Sequence, residues 1–179
     1  RHFPCIVDKY IGDEVMLIFS KEFGSEDPIA DAIKTAGAIA ERDFLGYEPH
    51  MGIGYGKIAV GLVGNKRANG CSAVGFPVTI ANRCTGIRPQ EKNHGSIVIP
   101  SELWEGYDIF DLLPPEKNKL PNGKIRKIPR WQILEERNAP IKNLDSINIR
   151  EIIKTTFCMA TPTPEEKAKA DIKEILGEL

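Results

Sequence analysis

Two apolar runs held apart by a glycine–aspartate pair set the first constraint on this chain. Cys5-Ile6-Val7 and Val15-Met16-Leu17-Ile18-Phe19 flank Gly12-Asp13. Apolar and β-branched residues on either side of a tight glycine turn read as a β-hairpin. Gly24 and Ser25 mark a loop, and Asp27-Pro28 supplies a helix N-cap followed by proline in the first turn. Ile29, Ala32, Ile33, Ala36, Ile39 and Ala40 then recur at helical spacing, which predicts a helix to about Arg42 with its apolar face on the sheet.

Further along, Met51 to Gly56 alternates glycine with larger residues, and Ile58 to Gly64 continues the pattern. Glycines within a strand permit close backbone approach by a ligand, or a bulge. Asn65 to Gly70 reads as a polar turn and Cys71 to Val74 as a short strand. Pro77 opens a helix through Cys84, and Ser96 to Pro100 is a strand. Asp111 to Ile128, rich in lysine and proline, reads as an exposed loop or ribbon, and Ile128 to Leu134 as a closing strand. Residues 1–135 form one domain on this reading, and residues 136–179 a helical extension. That extension includes a short helix at Ile147 to Thr156. A capping box at Thr163-Pro164-Glu165-Glu166 starts another, with Ile172, Ile175, Leu176 and Leu179 as its apolar stripe. The expected fold is α+β, a ferredoxin-like antiparallel sheet with helices on one face and a C-terminal helical tail.

The 179 residues are 41% hydrophobic and 27% charged, enough for one domain with a sizeable core. A net charge of −1 gives no reason to expect nucleic acid as a partner. No apolar run reaches membrane-spanning length and no signal peptide is visible, so no membrane role is expected. Cys5, Cys71, Cys84 and Cys158 contain no CxxC pair, which speaks against zinc and fits reduced thiols in the cytoplasm.

Three segments together resemble the class III adenylate/guanylate cyclase catalytic domain. They are Lys9-Tyr10-Ile11-Gly12-Asp13-Glu14, Gly52 to Gly64, and Ser72-Ala73-Val74-Gly75-Phe76-Pro77-Val78-Thr79-Ile80-Ala81-Asn82-Arg83. The resemblance spans roughly residues 5–135. It implies a homodimer with sites between protomers, a nucleoside triphosphate substrate, and two Mg²⁺ or Mn²⁺ ions per site.

Carried onto this chain, the resemblance makes Asp13 the second metal-binding aspartate. Lys9 and Ser72 match the base-reading pair. A lysine only donates, while a serine hydroxyl can accept. That pair suits adenine, then cytosine, through a ring nitrogen and the adjacent amino group; guanine and uracil offer an N–H where the lysine needs an acceptor. Thr79 and Arg83 are four apart on the expected helix and share a face. Arg83 matches the arginine at the α-phosphate, where a guanidinium fork suits charge building in the transition state. Thr79 departs from the family's asparagine at the ribose: it keeps a hydroxyl but lacks an amide donor. Lys127, with Lys124 nearby, stands where the family often carries a lysine for the terminal phosphates.

The family's first metal aspartate lies several dozen residues before the second, and only twelve residues precede Asp13 here. Asp8 is too close along the strand to be that residue, so a longer natural N-terminus is expected. The implied activity is cyclisation of a nucleoside triphosphate, with ATP the expected substrate, to the 3′,5′-cyclic monophosphate and pyrophosphate. Alternatives are a CTP or UTP cyclase of the bacterial anti-phage type, and a catalytically silent module that binds nucleotide or dimerises. Gly12-Asp13-Glu14 also resembles the hairpin of diguanylate cyclases, but the glycine-rich segment and the Val78 to Arg83 helix argue against that family.

Overall fold

A computed structural model describes residues 4–41, 49–64, 69–90, 95–120, 122–142 and 145–155. The capping box at Thr163 and the apolar stripe after it lie outside the described residues. Strand β1 (Cys5–Ile11) and β2 (Glu14–Phe19) pair antiparallel, and Ile11 opposite Glu14 leaves Gly12-Asp13 as the loop. Gly12 has φ +64°, the left-handed conformation in which a side chain is strained. The register slips once: Val7 faces Leu17 and Lys9 faces Met16, so Asp8 is the extra residue of a β-bulge.

Helix α1 (Pro28–Glu41) starts where the sequence places it. The Asp27 carboxylate accepts from the Ala30 amide at 3.0 Å, satisfying one of the free N–H groups of the first turn. Strand β3 (His50–Gly52) is followed by the β4 (Ala59–Gly64) and β5 (Asn69–Val74) hairpin, then by α2 (Phe76–Thr85). After β6 (Ser96–Pro100) and the short α3 (Ile109–Leu112), β7 (Glu116–Lys119) and β8 (Ile125–Ile128) form the exposed ribbon expected there. The chain then adds β9 (Trp131–Ile133), β10 (Arg137–Pro140) and β11 (Ser146–Lys154).

The largest sheet is five-stranded and mixed. β3 runs parallel to β6, β6 antiparallel to β11, and β9 and β10 both line the far edge of β11. All five residues of β6 are buried. Ile97 and Ile99 pack with Ala30, Ile33, Ala36 and Ala40 of α1, while Val98 packs with Ile80 and Cys84 of α2. Side chains alternate across a strand, so α1 and α2 cover opposite faces of the sheet. The α+β class stands, but the helices are not gathered on one face. The unbroken apolar run of β6 requires cover on both sides.

The expected helix at Ile147 to Thr156 is a strand, and it is central. Ile149, Ile152 and Ile153 are at most 1% exposed. Their spacing matches one helical face, yet β-branched side chains prefer the pleated surface, and β11 buries both of its faces. The sheet therefore continues past residue 135, and residues 136–155 belong to the main core rather than to a helical extension. Glu151, also 1% exposed, accepts from Arg137 Nε at 2.8 Å and from the Gln90 amide at 3.1 Å. That carboxylate ties the loop after α2 to the middle of the sheet. Among the described residues no helix is long and apolar enough to cross a membrane.

Candidate active site

The bulge in β1 organises the site. In a regular strand Asp8 and Lys9 would point to opposite faces. Here both reach β5. Asp8 Oδ1 accepts from the Ala73 amide at 3.0 Å, and Lys9 Nζ donates to Ser72 Oγ. Lys9 and Ser72 are 63 positions apart in the chain and meet directly. The Asp8 side chain is 1% exposed and that of Lys9 is 32% exposed. Asp8 Oδ2 lies 3.2 Å from Lys9 Nζ, yet it has no aligned hydrogen bond among the described residues. The contact is thus an ion pair by proximity. Ser72 Oγ can also donate to the Ala73 carbonyl at 3.4 Å, a long contact that leaves an oxygen lone pair able to accept.

Helix α2 follows β5 after Gly75 alone, so Thr79 and Arg83 ride on the element that continues from Ser72. Its docking depends on Gly52 and Gly54. A Cβ on Gly52 would sit 2.1 Å from the Ala81 carbonyl oxygen, and one on Gly54 would sit 2.2 Å from that of Pro77. These glycines admit the helix backbone, which corrects the expectation of a ligand or a bulge at Gly52 and Gly54. Thr79 is exposed, and Arg83 is half-buried with Nε enclosed and unpartnered among the described residues.

Asp13 is exposed at the tip of the β1–β2 hairpin, and no described hydrogen bond ties it to Lys9 or Ser72. Lys127 is exposed on β8 directly opposite Lys117 of β7, a like-charge pair that is unfavourable without an anion. The described residues contain no group of three His, Cys, Asp or Glu side chains arranged to hold a metal. The described residues of a single chain do not fit a complete two-ion centre.

Two other groups are perturbed. Cys84, fully buried on α2, has its thiol pushed up to about 11 by desolvation. The Tyr107 hydroxyl is pushed up to about 12, first by desolvation and then by its hydrogen bond to Asp27 at 2.8 Å. It lines a cavity of about 500 Å³ beside the start of α1, together with Asp27, Asp31, Lys34 and Asp111. That cavity holds none of the residues assigned above.

Comparison with solved structures bears on this arrangement. The chain superimposes on the guanylyl cyclase Cya2 with a TM-score of 0.56 and 18% identity, over 88% of this chain and 75% of that one. On the adenylyl cyclase CyaB from P. aeruginosa the values are 0.54 and 18%, over 87% and 74%. The fold is that of the class III nucleotide cyclases. No protein-family profile matches the chain, and no curated protein does. At this identity the class III likeness resides in the fold. Asp8, too near Asp13 along the strand for a metal role, carries no other signal in the sequence; the bulge turns it inward beside Lys9.

Proposed function

We propose that this class III fold is a nucleotide cyclase that converts a nucleoside triphosphate, ATP first, to its 3′,5′-cyclic monophosphate and pyrophosphate. The single observation that carries the reading is the Lys9–Ser72 contact. Adenine offers an acceptor at N1 beside a donor at N6, and a receptor for that edge needs a donor and an acceptor side by side. Lys9 supplies the first and the Ser72 hydroxyl the second. CTP is the second reading, because N3 and N4 of cytosine offer the same order.

In this account Arg83 faces the charge that grows on the α-phosphate as the 3′-hydroxyl attacks and pyrophosphate leaves. Thr79 offers its hydroxyl to the ribose from the preceding turn. Lys127 meets the terminal phosphates, and relief of its repulsion from Lys117 supports an anion there. The fold family implies Mg²⁺ or Mn²⁺, which would offset charge on the triphosphate, with Asp13 as one carboxylate donor. A homodimer belongs to the proposal. It is supported by apolar side chains left open on β1, β4 and α2, where Tyr10 is 76%, Leu62 79% and Phe76 64% exposed.

The test is Arg83→Ala. Loss of a donor to developing charge costs ~10²–10³ in kcat and leaves ground-state affinity little changed. A large loss of ATP affinity at unchanged turnover would contradict the role given to Arg83.

A further inference from the structure

The β1 bulge places a buried carboxylate beside a lysine that must face ligand. Asp8 cannot itself touch a nucleotide, because its side chain is 1% exposed. Its Oδ1 is spent on the Ala73 amide, and its Oδ2 has no hydrogen bond among the described residues although Lys9 Nζ lies 3.2 Å away. A buried carboxylate oxygen left without an aligned donor is costly and calls for an explanation, and a buried ion pair is weak evidence for a stabilising role. Lysine is a point charge on a long flexible stem, so an unrestrained Lys9 would lose much of its freedom on binding. With Asp8 on one side and Ser72 on the other, the ammonium is already held.

We propose that Asp8 is the positioning residue of the base-reading pair: from the bulge it locks β1 to β5 and sets Lys9 against Ser72 before nucleotide arrives. Its functional side rests on the nucleotide reading above, while its effect on Lys9 rests on the contacts alone. Ala73 and Ser72 are consecutive on β5, so one carboxylate fixes both the strand spacing and the ammonium. The bulge is the necessary condition, since without the extra residue Asp8 and Lys9 would diverge.

Asp8→Asn separates the two duties, because its amide oxygen can still accept from Ala73 while the charge beside Lys9 is gone. Two readouts are compared in the full chain. In the first, acetic anhydride labels lysines and peptide mapping follows Lys9 against the exposed Lys57. Asp8→Asn is expected to raise Lys9 labelling several-fold relative to Lys57; an unchanged ratio would overturn the proposal. In the second, calorimetry gives affinities for ATP, GTP and inorganic tripolyphosphate. The ATP-over-GTP preference is expected to shrink about tenfold, equivalent to ~1.4 kcal/mol, with tripolyphosphate affinity unchanged. An equal fall for all three ligands, or a variant that does not fold, would make Asp8 purely structural and overturn the proposal. A wild-type protein that binds ATP and GTP equally refutes the base-reading assignment itself, and the labelling ratio still judges Asp8 alone.

Discussion

Gly54→Ala is the perturbation whose cost the geometry states most directly. An added Cβ at Gly54 would lie 2.2 Å from the Pro77 carbonyl oxygen and 2.9 Å from the Ala81 amide nitrogen, both backbone of α2. Ordinary contact begins at 3.4 Å, so α2 must retreat by 3.4 − 2.2 = 1.2 Å. Overpacking of a fitted interior costs ~1–3 kcal/mol. At ~2–4 °C per kcal/mol for a chain of this size, Tm falls by about 2–12 °C. Gly61 is the matched control: it lies in β4, and a Cβ there meets nothing within 4 Å. Gly61→Ala should leave Tm unchanged or raise it slightly, because it restricts the unfolded chain. The displacement has its own reporter in Cys84, fully buried on α2, whose thiol is pushed up to about 11. Maleimide labelling at Cys84, mapped by mass spectrometry, should be faster in Gly54→Ala than in Gly61→Ala. Since α2 also carries Thr79 and Arg83, a shift of this size would lower turnover by ~10²-fold. Equal melting temperatures and equal Cys84 labelling in the two variants would refute the argument.

Glu151→Ala should destabilise the fold by about 3 kcal/mol in urea unfolding, because it strands Arg137 and frees the Gln90 amide; a loss below 1 kcal/mol would show that Glu151 is not the tie between sheet and loop. Tyr107 binds its proton more tightly in the folded state than when unfolded. Its contribution is therefore complete below the ordinary value of 10.0 and is lost as pH rises towards about 12. Tyr107→Phe should flatten that part of the pH–stability curve, and an identical curve in the variant would contradict the assignment. Lys127→Ala should weaken tripolyphosphate binding without lowering Tm, since removing one lysine of an opposed pair costs the ribbon nothing; a clear drop in Tm would point to a structural lysine.

The hairpin, α1, α2 and β6 could be read from local signals: a glycine turn, an Asp-Pro cap, helical spacing and an unbroken apolar run. The resemblance pairs Lys9 with Ser72 as base readers, but their direct contact across 63 positions belongs to the fold and has no local signal. The bulge could not be read, because register depends on the partner strand and one extra residue leaves no mark in a single sequence. Asp8 was lost with it. β11 is hidden for a different reason: Ile149, Ile152 and Ile153 fit a helical face, and only the open edge of β6 decides for a strand. Gly52 and Gly54 carried a real signal of close approach, but a sequence cannot say that the approaching backbone is a helix of the same chain.

The most direct measurement is product identification. The full-length protein is incubated separately with ATP, CTP, GTP and UTP in Mg²⁺ and in Mn²⁺, and cyclic nucleotides are sought by mass spectrometry. The expected result is 3′,5′-cyclic AMP and pyrophosphate from ATP, with CTP next, and loss of product in Arg83→Ala. No cyclic product from any of the four nucleotides, while ATP still raises the melting temperature, would contradict it and leave a silent nucleotide-binding module.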